Sequence, residues 1–164
     1  PESLLGERQG QGFKTAMAVL DNGRIEVAAM ALGIAQAAFD FAVTYAKQRV
    51  IGGEALANRQ GIRWQIADMA LGLERARALA LDAARQRDVA HQTGQRFSLA
   101  AAMAKLDCSE MVGRVTDAAL QIHGGYGYTR DFPIERLVRD ARIFRIYEGS
   151  SEIQRNIIAA HILK

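Results

Sequence analysis

An all-α fold, an antiparallel up-and-down four-helix bundle with short additional C-terminal helices, follows from three properties of the sequence. Apolar residues recur at helical spacing over stretches far longer than a strand. The breaks between those stretches are short, which sets successive helices side by side and antiparallel. The 164 residues are 49% hydrophobic and 24% charged, enough apolar content for one domain with its own core and too much for a disordered chain.

Residues 1–12, PESLLGERQGQG, are polar, glycine-rich and aperiodic and read as a linker, leaving residues 13–164 as the domain. Phe13, Met17 and Leu20 begin a helical stripe. From Ile25 onward Ala28, Leu32, Ala35, Phe39 and Ala42 form one stripe, and Val27, Ala31, Ile34, Ala38, Phe41 and Tyr45 a second. A helix apolar on two faces is expected to be mostly buried. The run Asp21-Asn22-Gly23 leaves open whether this helix is continuous.

A break at Gly52-Gly53 precedes a second long helix, with Asn58 as its expected N-cap. Ile62, Ile66, Met69, Leu73, Ala76 and Ala80 mark its inner face, and Arg75, Arg77, Asp82 and Arg85 its solvated side. Residues 91–96, containing Gly94, form a turn. Ser98 opens a third helix that carries Leu99, Met103, Leu106, Met111, Val115, Ala118 and Ile122 and ends at Gly124-Gly125. After the glycine-rich loop GGYGYTRDFP, Pro133 suits the first turn of a short helix bearing Ile134, Leu137, Val138 and Ala141. A last helix starts near Ser150 or Ser151, where Ser151 and Gln154 fit a capping box.

Several function classes drop out. The formal charge of +3 comes from 21 basic residues interspersed with 18 acidic ones, so no nucleic-acid-binding arm is expected. Cys108 is the only cysteine and can form no internal disulfide. Neither a signal peptide nor an apolar stretch long enough to span a bilayer stands out, which points to a soluble protein of a reducing compartment. His91, His123 and His161 show no metal-ligand spacing, so no metal site is expected. No serine-nucleophile elbow is present.

What remains is narrower. The loop HGGYGY, residues 123–128, either lets backbone amides approach an anion or simply caps a helix. Arg136, Arg139, Arg142 and Arg145, interleaved with Glu135 and Asp140, read as a solvated face rather than a phosphate site. Glu148, in IYEGSSEIQ, is either a general base or an acid favoured by the dipole of the helix that follows.

Three stretches together carry a family resemblance: PESLLGERQGQGFKTAM, LDNGRIEVAAMALGIAQAA and QIHGGYGYTRDFPIERLVRDARIFRIYEGSSEIQR. In order and spacing they resemble the C-terminal part of the acyl-CoA dehydrogenase family. That resemblance implies a fragment, lacking an N-terminal helical domain and a middle β-barrel domain, with PESLLGE as the exit from the barrel. It implies oxidation of an acyl-CoA thioester to the trans-2-enoyl-CoA with FAD as hydride acceptor, and an isolated fragment without activity. Glu148 matches the position of the base that removes the α-proton. A thioester α-proton is weakly acidic, so such a base must sit within hydrogen-bond reach, in a pocket whose desolvation raises its basicity. Some relatives place the base on the first long helix, where this chain has Gly23 beside Arg24.

The same resemblance assigns Arg24, Tyr147 and Gly149 to the substrate side, with Ile146 as a further wall. It assigns Arg49, Gln60, Gln121, Gly124, Gly125, Ser150 and Glu152 to the flavin, several of them to the flavin of a neighbouring subunit. It further implies an electron-transfer flavoprotein as acceptor, a homodimer or homotetramer, and a cytoplasmic location, or the mitochondrial matrix in a eukaryote. Departures from the family pattern stand at Gly52, Gly53, Glu54 and Ala55, where an aromatic residue, Gly, Lys and Pro are usual, at Arg59 in place of an aromatic, and at Ala160 in place of an arginine. They keep open a partner subunit with weakened flavin binding. An acyl-CoA oxidase and an all-α interaction module unrelated to flavin stay open as well.

Overall fold

The computed structural model of the protein describes residues 10–164; residues 1–9 of the expected linker lie outside them. Three long helices, α1 (Gly12–Gln48), α2 (Gln60–Thr93) and α3 (Ser98–His123), are followed by two short ones, α4 (Ile134–Arg142) and α5 (Ser151–Ile162). Helix α3 is the hub, with α1, α2, α4 and α5 all packed on it. The all-α bundle is as predicted, and its shorter fourth member is α5.

The α1/α3 contact is built from small side chains. Ala28, Ala31, Ala35, Ala38, Ala42 and Ala46 are fully buried on α1, and α3, packed against it, buries Ala101, Ala104, Cys108, Met111, Val115, Ala119 and Ile122, of which Cys108 and Met111 also meet α2 at the Ala76 carbonyl and at Gly72. Steps of three and four residues in both stripes keep the seam facing the partner along the whole length, and alanine lets the two axes approach closely. This differs in detail from the expected inner face of α3. Leu99, Met103 and Leu106 are only half-buried, because the alanines and not the large residues occupy the seam. Burial lifts the Cys108 thiol to about 12, with the Asp107 charge adding to the effect, so it behaves as a small apolar group.

Helix α1 runs unbroken through Asp21-Asn22-Gly23. The Asp21 carboxylate accepts from Arg24 at 2.6 Å one turn on, and the Asn22 amide donates to the Ala18 carbonyl at 3.0 Å. Its second apolar stripe is largely buried as expected, with Val27, Ala31 and Ala38 closed off; Phe41 is the exception at 44% exposure, and Met30, outside both stripes, is 50% exposed. An 18-residue window of α1 has mean hydropathy 1.6, so by length and composition this helix could cross a membrane. That corrects the expectation that no stretch qualifies; much of the apolar content is the alanine seam against α3.

Between α1 and α2 the chain forms a small antiparallel hairpin, β1 (Val50–Ile51) and β2 (Glu54–Ala55), which the sequence pattern did not announce. Gly52 and Gly53 turn it with φ of +64° and +86°, the left-handed pair a two-residue hairpin requires. A 3-10 turn, Leu56–Asn58, then leads to Arg59, which takes the N-cap position expected for Asn58. Helix α2 runs to Thr93, into the stretch expected to be a turn, and stops at Gly94 with φ of +72°.

Ala35→Leu tests the seam. Forcing three more carbons into a fully closed alanine contact is expected to cost about 1–3 kcal/mol, read as a lower urea midpoint with unchanged slope.

Candidate active site

A 3-10 turn, Ile143–Arg145, follows α4, and a short loop then carries the chain into α5. Within that loop Glu148 has φ of +56°, the one non-glycine residue with positive φ among the described residues, and Gly149 follows at +87°. The left-handed region is disfavoured for a residue with a Cβ, so the surroundings must hold Glu148 there.

Three side chains from three helices do so through two successive carbonyl oxygens. Gln154 Nε2 on α5 donates to the Glu148 carbonyl at 3.2 Å and to the Gly149 carbonyl at 2.9 Å. Lys105 Nζ on α3 donates to the Gly149 carbonyl at 2.6 Å, and Arg24 Nε on α1 reaches the Glu148 carbonyl at 3.4 Å. Gln154, Lys105 and Arg24 are all buried. The capping-box expectation is therefore corrected. Gln154 reaches back to loop carbonyls, and the Ser151 hydroxyl donates to Glu110 Oε1 at 2.7 Å instead of capping α5. Glu110 also meets Arg145 at 3.5 Å and Arg155 at 3.7 Å, which ties the turn, α3 and α5 together.

The carboxylate of Glu148 lies against α1 at Gly23. A Cβ built on Gly23 would stand 2.9 Å from Glu148 Oε2. The missing side chain of Gly23 is thus the space the carboxylate occupies. Beside it Asp21 accepts from both Arg24 and the Ser98 hydroxyl, so the guanidinium is held by an acid of its own helix. Tyr147 is half-buried with its ring 5.8 Å from that of Phe144, and burial together with the Glu148 charge raises its phenol above the usual range. Ser150 and Glu152 pair with each other: the Ser150 hydroxyl, and then the backbone, hold the exposed Glu152 carboxyl below its usual range.

A second cluster forms at the far end of α3. A cavity of about 590 Å³ lies between the end of α1, the hairpin and the 3-10 turn Gly124–Tyr128. It brings together Arg49, Gln121, Gly124 and Gly125, joined by Tyr45, His123 and Tyr126. The Arg49 guanidinium stands 5.3 Å over the Tyr126 ring, and Tyr45 stacks on His123 at 4.3 Å. The Gly124 amide is spent on the carbonyls of Gln121 and Leu120, so of the two readings of this loop the helix cap describes Gly124. Gln60, exposed in the first turn of α2, is not among the lining residues, and neither is Glu54. Lys105 and Gln121 are separated by sixteen residues of α3, about 24 Å along the axis.

Residues 10–163 match the family model described as acyl-CoA dehydrogenase, C-terminal domain. The chain belongs to the acyl-CoA dehydrogenase family. It is 53% identical over 163 residues to the mitochondrial short-chain specific acyl-CoA dehydrogenase of Bos taurus, covering 99% of this chain and 38% of that protein. To the acryloyl-CoA reductase (NADH) of Anaerotignum propionicum it is 50% identical over 162 residues, covering 99% of this chain and 40% of the relative. The butyryl-CoA dehydrogenase structure from Megasphaera elsdenii superposes with a TM-score of 0.92 at 47% identity, over 99% of this chain and 41% of that one. The chain spans about two fifths of the length of these relatives.

Of the residues that the acyl-CoA dehydrogenase resemblance assigned, Glu148, Gly149, Tyr147, Ser150 and Arg24 gather at one end of the domain. Arg49, Gln121, Gly124 and Gly125 gather at the other. Lys105, Gln154 and Glu110 were missed. The signal for Lys105 was present, a lysine among Ala101, Ala102, Ala104 and Cys108 on a buried face.

Glu148→Gly tests the strain in this loop. Releasing about 1–2 kcal/mol of left-handed cost against about 0.5–1 kcal/mol of glycine entropy predicts a gain of up to about 1.5 kcal/mol in urea unfolding. Equal or lower stability would mean that the loop stores no strain.

Proposed function

We propose that the chain is the C-terminal domain of a flavin-dependent acyl-CoA dehydrogenase in which Glu148 removes the α-proton of an acyl-CoA thioester. The observation that carries this is the placement of one carboxylate, held in a strained backbone conformation by buried donors and pressed into the side-chain space of Gly23. An acid that served only the helix dipole would need neither the strain nor the donors. Glu148 accepts the proton as the Cα–H bond breaks, and its fixed backbone supplies the orientation that such a transfer demands. The Arg24 guanidinium lends positive charge beside the acyl group, while Ile146 and Tyr147 wall it and exclude water. Gly149 contributes backbone only.

The second cluster fits one end of FAD. A guanidinium, a side-chain amide, exposed glycine backbone and aromatic faces around a cavity of about 590 Å³ suit a pyrophosphate and a planar base. Arg49, Gln121 and Gly125 would hold that end, with Gly124, its amide spent on α3, leaving room by its missing side chain, and Gln60 beyond the cavity. Ser150 and Glu152, next to the base, belong on the flavin side of their own centre. When bound, FAD supplies the acceptor for the hydride that leaves the β-carbon. Glu54 faces out from the hairpin, and Arg59 donates to the Ile51 carbonyl at 2.9 Å, covering Gly52. The departures from the family pattern therefore bring no acid into the cavity.

Two clusters about 24 Å apart along one helix suit flavins of two different subunits. With the exposed Met30 and Phe41 face of α1, this supports a homodimer or homotetramer. An electron-transfer flavoprotein is the proposed acceptor, and a cytoplasmic location the proposed one for a bacterial source.

The test uses the full-length protein that carries this domain. Anaerobic addition of a panel of acyl-CoAs should bleach the bound flavin, and Glu148→Gln should slow bleaching by at least about 10²–10⁴-fold with the flavin retained. Glu148→Gly combined with Gly23→Glu should recover part of that rate, because the new carboxylate enters the same space from α1. A colourless protein that takes up no FAD would instead favour a partner subunit, and rapid reoxidation by oxygen an oxidase.

A further inference from the structure

We infer that Lys105 is a positioning residue for proton abstraction, holding Glu148 in its productive conformation through the Gly149 carbonyl; the inference rests on Glu148 being the base. Lys105 is completely buried, and none of the ion pairs among the described residues includes it. A buried ammonium without a paired carboxylate opposes folding, and a methionine would pack there without that cost. Satisfying the Gly149 oxygen does not account for it either, since Gln154 already donates to the same atom at 2.9 Å. What Lys105 adds is a second, charge-assisted bond at 2.6 Å, of a kind about twice as strong as a neutral one.

The place of that bond decides its effect. The Gly149 carbonyl belongs to the peptide directly after two left-handed residues, and rotation of that peptide is how the loop would relax out of its strain. Anchored to α3, the peptide cannot rotate, and the carboxylate stays over Gly23. Every charged group around the ammonium sits on an element that meets here. Arg24 on α1 disfavours the charge, while Glu110 on α3, Glu148 in the loop and Glu152 on α5 favour it. Burial outweighs them all and brings the ammonium down to about 8. The charged grip is therefore present at neutral pH and lost as pH rises through about 8.

The experiment reads proton abstraction alone. The full-length holoenzyme is given a 3-thia-acyl-CoA, whose β-position is sulfur and carries no hydride, and exchange of its α-protons with deuterium oxide is followed by NMR from pH 6 to 9.5. Wild-type exchange should fall several-fold above pH 8. Lys105→Met should exchange about 100-fold more slowly at pH 7, with flavin content and analogue affinity unchanged. Lys105→Arg, whose cation does not titrate in this range, should recover most of the rate and lose the fall above pH 8. Exchange by Lys105→Met within threefold of wild type, or a fall that persists in Lys105→Arg, overturns the inference. Should both variants fail to fold, a flat wild-type profile overturns it and a fall centred near pH 8 supports it. Glu148→Gln is run in parallel. Exchange that survives there sinks the base reading, whereas exchange lost there and intact in Lys105→Met sinks only the role of Lys105.

Discussion

Two adjacent carbonyl oxygens, those of Glu148 and Gly149, are where three helices meet. Arg24 comes from α1, Lys105 from α3 and Gln154 from α5, and none is near another in sequence. A left-handed glutamate is unfavourable by itself, so its persistence depends on donors whose positions are set by helix packing and not by the loop. The geometry of the Glu148 loop is thereby coupled to the α1/α3 seam. If the two helices slid by a residue, Arg24 and Lys105 would no longer address neighbouring oxygens.

The alanine seam supplies the rigidity which that arrangement needs. Side chains of one carbon give short interaxial distances and leave no rotamers to repack, so the register of α1 on α3 is well determined. The same closeness lets Gly23 lie next to a loop that follows α4. Glycine within a helix costs about 1 kcal/mol relative to alanine, and here the vacated volume is filled by the Glu148 carboxylate. At the other end the seam delivers Tyr45 of α1 and Arg49, just past its last turn, beside Gln121 and His123 of α3.

The long helices were legible because their periodicity extends over many turns, and α3 stops at Gly124 as the sequence put it, while α2 runs past His91, where a turn was expected, to Gly94. The hairpin was not, since two-residue strands have no period to read. In the site, Glu148 was visible through its motif, whereas Lys105 had only the signal of a lysine among small apolar residues, which the inner face expected for α3 obscured. Large residues such as Leu99 and Met103 suggested the inner face of α3, and alanines carry little hydropathy signal although they form the seam. Ser151 and Gln154 matched a capping box because that pattern names residue types and spacing only. Whether Gln154 reaches the helix start or the loop before it depends on Glu148 and Gly149 bending back over it, which is a tertiary fact.

The place of the carboxylate in space is more fundamental than its place in the chain. Position 23 points from α1 into the volume that the Glu148 side chain reaches from the loop, with 2.9 Å between a Cβ there and Oε2. A glutamate at position 23 would begin inside that volume, and two carboxylates crowded into one partly desolvated site would repel, so that both could not ionise readily. An acid at either position therefore excludes an acid at the other. An acid on the first long helix and an acid after α4 are alternative ways to fill one volume, and the bare Gly23 leaves that volume to the Glu148 carboxylate.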